Sequence, residues 1–411
     1  MLFRQLHLRV EGEFHMKAIY LKFKISLMLA LIMLGEVACT PKQTVPQQPT
    51  PFNQAVQSLA HDLFVQLKDA RGLLEATPSV IMLNPFIDGD SGNIVAVSQD
   101  IERHIHTEKA KNFSQLTLKN MTRENLLEAY YLMSGVINME PYGNSREKHY
   151  HLYASILDIK KGEIVASSNI WVQETDLDFT PSALYKDSPM YLKDQHFESL
   201  VKIAKGHSGD KADIKYYGAL QTNVILEEAR NAYDNYRYNE ALSLFKEAAN
   251  RQDGQVMKAY AGLYNTYYKL GNMQGVEDAF YKMVAIGMLT NNLSTRFLFS
   301  VNTTEFIEDT ELRHQYQLWL KKIAEYFQES KQCIEIIGHS SRSGTEAHNL
   351  QLSWQRADKI QQLLMHYAPH IGYRLTTVGK GFSENIVGTG TDDARDAIDR
   401  RVEFAVTGCP F

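Results

Sequence analysis

Cysteine is scarce in this chain. Only Cys39, Cys333 and Cys409 occur among 411 residues. That excludes a disulfide-dense scaffold, and no Cys-x-x-Cys knuckle is present to hold zinc. A basic surface is missing too. The net charge is -5 and no Lys/Arg run lies outside the N-terminus, which argues against a broad nucleic-acid surface. Gly-x-Ser-x-Gly, P-loop and Cys–His nucleophile signatures are absent, so the chain reads as non-enzymatic, with no cofactor. What is present is ordinary for folded domains: 44% hydrophobic and 22% charged residues, with room for two or three domains.

The first informative stretch runs from Met16 to Cys39. Lys17, Lys22 and Lys24 precede a run of ten residues, Ile25 to Leu34, and small residues then lead to Cys39. This is the architecture of an export signal, and the run is too short to span a bilayer comfortably as a mature helix. Met1 to His15 fits no such pattern, which suggests translation from Met16. Cys39 directly after Ala38 resembles a lipobox, whose cysteine is diacylated after cleavage. Glu36 stands where that motif prefers Leu, and Leu34 lies two residues too early. Thr40 after the cysteine resembles lipoproteins sorted to the outer membrane. The expectation is a lipid anchor on Cys39, on the periplasmic face of the outer membrane, with no membrane-spanning helix. The alternative is a plain secretory signal cut near Ala38.

Residues 40–52 are rich in Pro, Gln and Thr and read as an extended tether. Val56, Leu59, Leu63, Phe64 and Leu67 then recur at helical spacing. Val80 to Leu83 reads as a strand, Gln99 to Lys109 and Glu124 to Tyr131 as helices. Tyr131 to Val136, Tyr150 to Ile159 and Ile164 to Val172 read as strands, the last two joined by a hairpin turn at Lys160 to Glu163. Residues 53–195 are therefore expected to form one α/β domain. Its wording, HLYASILDIKKGEIVASSNIWV followed by LDFTPSALYKDSPMYL, resembles the FlgO-like envelope domain. That resemblance implies protein contacts in the periplasm.

A connector is expected over 196–222. From 223 to 288 the chain is helical. Ala241/Val276, Phe245/Phe280 and Ala248/Met283 are each 35 residues apart, and Leu270-Gly271-Asn272 matches an inter-helix turn. This resembles two tetratricopeptide repeats, with an ordinary helical hairpin linker as the alternative.

From 296 to 411 strands alternate with helices. IIGHSSRSGTEAHNLQLSWQRADKI, VGKGFSENIVG and DRRVEF resemble the OmpA-like C-terminal domain. Gly338, His339, Gly344, Asn349, Leu352, Ser353, Arg356, Ala357, Gly379, Gly381, Arg400, Arg401, Val402 and Glu403 fit its pattern. The resemblance implies helices on a mixed sheet and a site for the diaminopimelate side branch of peptidoglycan. Its residues here are His339, Ser341, Asn349, Leu352 and Arg356. A zwitterionic branch calls for an arginine fork on its carboxylate and an acid on its ammonium. Arg356 holds the first position. Ser341 stands where the family has Asp, and Asp392, Asp393 or Glu384 are candidates to replace that charge. Arg356 could instead close the helix against its loop, and Arg400 and Arg401 are expected to hold the fold. If the strands opened by Cys333 and followed by Cys409 are antiparallel neighbours, as in this family, the two thiols meet as a disulfide.

The pairs His104/His106 and His149/His151 lack a third ligand, and Asp88, Asp90 and Gly92 lack the terminal acid of a calcium loop, so no metal site is expected. The expected whole is a multidomain α/β (α+β) envelope lipoprotein. Its partners would be peptidoglycan, other envelope proteins and a membrane through the anchor, and it would brace a secretion-type or flagellar-type assembly. The alternatives are a scaffold that no longer binds peptidoglycan and a regulator of a peptidoglycan synthase.

Overall fold

The computed structural model describes residues 48–72, 79–144, 147–193, 195–291, 293–386, 388 and 395–409. The segment from Met16 to Cys39, with the anchor cysteine, and Asp392 and Asp393 lie outside them. Within them the chain is a mixed α/β protein with two sheets. Among the described residues no helix is long and apolar enough to cross a membrane.

The first sheet is built from β1 (Ser79–Leu83), β2 (Ile87–Asp88), β3 (Leu116–Asn120), β4 (Tyr131–Pro141), β5 (Lys148–Asp158) and β6 (Glu163–Val172). Its order is β3-β1-β4-β5-β6, with β2 also on β4. The first strands are parallel, and β4-β5-β6 form an antiparallel meander. Eight consecutive residues of β4 are buried, because helices cover both faces of the sheet. On one face lie α1 (Phe52–Arg71) and α2 (Ala96–Asn112). Val56, Leu59, Leu63, Phe64 and Leu67 of α1 meet Met133, Ile137, Leu152 and Ile156 there. A single turn, α3 (Arg123–Glu128), precedes β4, and Tyr131 is already strand.

The opposite face is covered by the segment that the sequence presents as a connector. After α4 (Ala183–Asp187), α5 (Gln195–Ala204), α6 (Ile214–Gly218) and α7 (Leu220–Asp234) place Ile203, Tyr216, Leu220 and Val224 against Met82, Leu132, Leu157 and Ile164. Leu132 and Met133 point to opposite faces, as strand alternation requires. Residues 196–222 are thus a packed layer of the domain, not a link out of it.

Two helical hairpins follow: α7 with α8 (Tyr238–Ala249), and α9 (Met257–Lys269) with α10 (Met273–Leu289). The residues spaced by 35 fall at matching buried positions on α8 and α10. Their core runs on without a break into the C-terminal module. That module has β7 (Leu293–Thr295), α11 (Thr310–Glu329), β8 (Cys333–Gly338), α12 (Glu346–Tyr367), β9 (Leu375–Gly379) and β10 (Val402–Thr407). Sheet order is β7-β10-β8-β9. β10 is antiparallel to β7 and β8, and β8 is parallel to β9.

The module is fastened to what precedes it. Trp319 of α11 stacks on Phe280 of α10 and donates its indole N–H to the Tyr264 hydroxyl of α9 (2.8 Å). Residues 189–191 lie antiparallel along the outer edge of β7: Met190 bridges Thr295, Tyr191 N donates to Ser294 O (3.1 Å) and Arg296 N to Pro189 O (3.0 Å). An edge strand with unpaired amides is a template for such pairing. The Arg296 guanidinium adds bonds to the carbonyls of Tyr185, Lys186 and Ser188. Cys333 and Cys409 are joined by a disulfide, Cα–Cα 5.1 Å, at the end of the β8–β10 ladder where Cys333 registers with Thr407.

Candidate functional site

Helix α12 organises the site. Thr345 caps it, its hydroxyl accepting from His348 N (3.3 Å), and Glu346 sits in the first turn, where the helix dipole favours a carboxylate. Asn349, Leu352, Ser353, Arg356, Ala357, Ile360 and Leu364 form its buried stripe, the i, i+3, i+4, i+7 pattern of one face. The helix lies very close to the sheet. A Cβ on Gly338 would stand 2.0 Å from the Ser353 carbonyl oxygen, so only glycine fits at the end of β8. Gly338→Ala is expected to cost about 3 kcal/mol, because backbone rather than a flexible side chain must move. A chemical denaturation midpoint equal to wild type would refute this.

The loop after β8 is held from both sides. His339 N donates to Arg401 O (3.0 Å) and Ser340 N to Gly381 O (2.9 Å), while Gly381 N donates to the Ser353 hydroxyl (2.8 Å). Gly344 turns the chain at φ +93°, a backbone that a side chain would strain. Asn349 Nδ2 donates to the carbonyls of Ser343 (2.7 Å) and Thr345 (3.1 Å), which fixes the loop on the helix. Ser341 is buried, its hydroxyl 3.4 Å from that of Ser343. Ser341 and Asn349 are therefore brought together through Ser343.

Arg356 faces a different loop. Its side chain is 2% exposed. Nε donates to Thr303 O (3.1 Å), Nη2 to Ser300 O (3.2 Å), and the guanidinium lies over the Phe299 ring at 5.0 Å. Charge-assisted bonds to two carbonyls and a cation–π contact are a stable seat for a buried guanidinium. The loop it holds is short and closed: Phe299 bridges Phe306, and Ser300 N donates to Glu305 O (2.8 Å). Sequence reasoning could not name Ser300 and Thr303, because a backbone acceptor leaves no residue-type signal.

His339 is fully buried and does not join this group. Its Nε2 lies 3.5 Å from the Glu403 carboxylate, which also accepts from Arg401 Nε at 2.5 Å. Burial pushes the Glu403 carboxyl up, but the His339 imidazole and the Arg401 guanidinium outweigh it and hold the carboxyl at about 2. Arg401 also donates to Glu384 O (3.1 Å), and Glu384 pairs with Lys380 (2.8 Å). These residues lock the last strand to the loop before it. Leu352 is buried in the stripe beside Arg356.

The other histidine and aspartate signals have local partners. His151 Nδ1 meets Glu140 (3.0 Å) and Nε2 meets Asn169 (2.9 Å). Asp88 accepts from Asp90 N (3.0 Å) and Ser91 N (3.2 Å), an Asx-type turn. Among the described residues no group of three or more His, Cys, Asp or Glu is placed to hold a metal ion.

Comparison with known proteins adds a family. Residues 307–399 match the OmpA family. Over 75 residues the chain is 39% identical to an outer membrane porin F of Pseudomonas fluorescens, a match covering 18% of this chain and 22% of that protein. A porin F of Pseudomonas aeruginosa is 32% identical over 88 residues, 21% of this chain and 25% of its own length. The chain thus spans about a quarter or less of these curated relatives. Among solved structures, the peptidoglycan-associated lipoprotein from Burkholderia pseudomallei aligns at 24% identity over 28% of this chain and 89% of its own, with a TM-score of 0.23. The cell wall anchor of the T6SS from Pseudomonas aeruginosa aligns at 26% identity over 28% and 80%, also at 0.23. The C-terminal region of this chain, residues 307–399, is an OmpA-like domain, preceded by an α/β region of unassigned family.

Proposed function

We propose that this chain is a non-enzymatic envelope protein whose OmpA-like domain faces peptidoglycan, and that the rest of the chain braces a larger envelope assembly. The observation that carries the reading is the family match over the loop-and-helix unit that holds Ser341, Asn349 and Arg356. On this reading the diaminopimelate carboxylate takes Arg356, which exchanges its bonds to Ser300 O and Thr303 O for a charged acceptor. Asn349 keeps the loop in shape. Ser341 offers the ligand's ammonium a neutral acceptor where an acid would be stronger. Charge-assisted bonds contribute about 1.5–3 kcal/mol against about 1 for neutral ones, so binding is weakened about tenfold relative to a site with Asp.

The FlgO-like reading of the first α/β region and the tetratricopeptide-like reading of the hairpins both supply protein contacts in the periplasm. Acylation at Cys39 would tether the chain to the outer membrane. Because residues 189–191 and α9–α10 are fastened to the C-terminal module, the full chain is the proper sample. In co-sedimentation with isolated sacculi, the wild-type chain is expected to pellet, Arg356→Ala to stay in the supernatant, and Ser341→Asp to bind about tenfold more tightly. A second reading, a scaffold with no cell-wall ligand, is favoured by Ser341 and by the carbonyl partners of Arg356. Wild type in the supernatant beside pelleted Ser341→Asp would decide for it.

A further inference from the structure

A cleft of about 420 Å³ opens between α9, the loop after α4 and the start of α11, and Arg356 is not among its lining residues. Its volume is an order of magnitude above the ~30 Å³ share of one water and falls in the range of small-molecule sites. Its floor is aromatic and already hydrogen-bonded: Trp319 Nε1 donates to Tyr264 OH (2.8 Å), which donates to Gln315 Oε1 (3.3 Å). One wall is an ion pair, Lys269 on Asp187 at 3.0 Å, with the Tyr233 hydroxyl donating to the same carboxylate at 2.7 Å.

Against these satisfied groups one stands out. Asn265, 2% exposed, donates Nδ2 to Leu184 O (2.8 Å), and its Oδ1 has no hydrogen-bond partner among the described residues. A buried carbonyl oxygen left unpaired is a standing cost to the fold, and a bound N–H donor would recover it. The charges around the cleft cancel: Lys186, Lys269 and Arg296 against Asp187, Asp309 and Glu311. Four of them have structural duties. Asp187 and Lys269 pair with each other, and Asp309 caps α11 by accepting from Leu312 N (2.9 Å). Arg296 is bonded to three carbonyls. An exposed ammonium, Lys186, and an exposed carboxylate, Glu311, stand at the rim, the carboxylate also accepting from the Tyr268 hydroxyl.

We infer that this cleft is a second ligand site and that its ligand is a short zwitterionic peptide. Such a ligand offers a backbone N–H to Asn265, an ammonium to Glu311 and a carboxylate to Lys186. A purely anionic or cationic ligand meets no net field here, and an uncharged glycan leaves both rim charges unanswered.

The test is calorimetric titration of the full chain with tri-L-alanine, with the same peptide N-acetylated and C-amidated, and with the N-acetylglucosamine trimer. Saturable binding of free tri-alanine is expected, about tenfold weaker for the blocked peptide. Glu311→Gln and Lys186→Gln, both at exposed positions, should each weaken tri-alanine about tenfold, and Lys186→Gln should leave the melting temperature unchanged. Absence of saturable heat with tri-alanine at millimolar concentration overturns the proposal. So does equal affinity for free and blocked peptide, or binding of the glycan trimer alone. Sacculus binding through Arg356 does not enter any of these readings, so either site can fail without the other.

Discussion

Cys409→Ser should lower the stability of the C-terminal module by about 4 kcal/mol, and the Cys333→Ser/Cys409→Ser pair should lower it by the same amount. The bond closes a loop of 76 residues in sequence. Chain entropy alone gives about 4.5 kcal/mol for a loop of that length, with 2–5 as the usual measured range. The two substitutions share one interaction, so their effects cannot add. That equality separates the bond from side-chain packing. Cys333 is buried at the start of β8 and Cys409 is exposed beyond β10. A loss caused by packing would therefore follow position 333, and the single change at 409 would be nearly silent. Urea unfolding of wild type, both variants and the reduced wild type measures this. The reduced protein should match the variants. A difference below 1 kcal/mol between oxidised wild type and Cys409→Ser would remove the bond from the account of stability.

Parts of this molecule were legible in advance for a physical reason: they are written in side chains. The stripe Asn349, Leu352, Arg356, Ile360 is periodic, and Gly338 marks a place where nothing else fits. The C-terminal alternation of strands and helices could be read for the same reason. What could not be read is written in backbone. The pairing of residues 189–191 with the edge of β7 uses amides and carbonyls that every residue possesses. The seat of Arg356 on Ser300 O and Thr303 O is of the same kind. The two short helices between 195 and 218, inside the expected connector, are hidden for another reason. Their buried positions, such as Ile203 and Tyr216, are divided between two short helices, so no single window carries a full period. His339 was grouped with the candidate site by its place in the motif, yet it lies beneath the loop against Glu403.

Thermal stability should peak between about pH 4 and 5 and fall on both sides, because two sets of acids are shifted in opposite directions. Burial, then the nearby Glu227 charge, raises Glu102 to about 7 against the opposing pull of Arg230. Burial and Asp90 raise Asp88 to about 6. A carboxyl raised in the folded state stabilises fully below its unfolded value, and that stabilisation is lost as pH rises through the folded value. These two therefore weaken the fold between about pH 4 and 7. His106, held below its usual value by burial and by Lys109, acts the other way over part of that window. Glu140 behaves oppositely to Glu102. Burial pushes it up, but His151, Tyr153 and Lys205 together outweigh this and bring it to about 2, as happens to Glu403. A depressed carboxyl stabilises above its unfolded value, and the gain is lost as pH falls from about 4.5 to 2. Glu140 and Glu403 keep close to a third of their side-chain surface in water, so their contribution is screened. The net effect expected is about 2–3 kcal/mol on each side of the maximum. Melting temperatures across pH 3 to 8 test the shape, and two variants test the assignment. Glu102→Gln should flatten the alkaline limb and leave the acid limb intact. Glu403→Gln should flatten the acid limb and lower stability at neutral pH, because it leaves the buried Arg401 without its anion. A melting temperature constant from pH 5 to 8, or a Glu102→Gln profile parallel to wild type, would rule out Glu102 as the source of the alkaline decline.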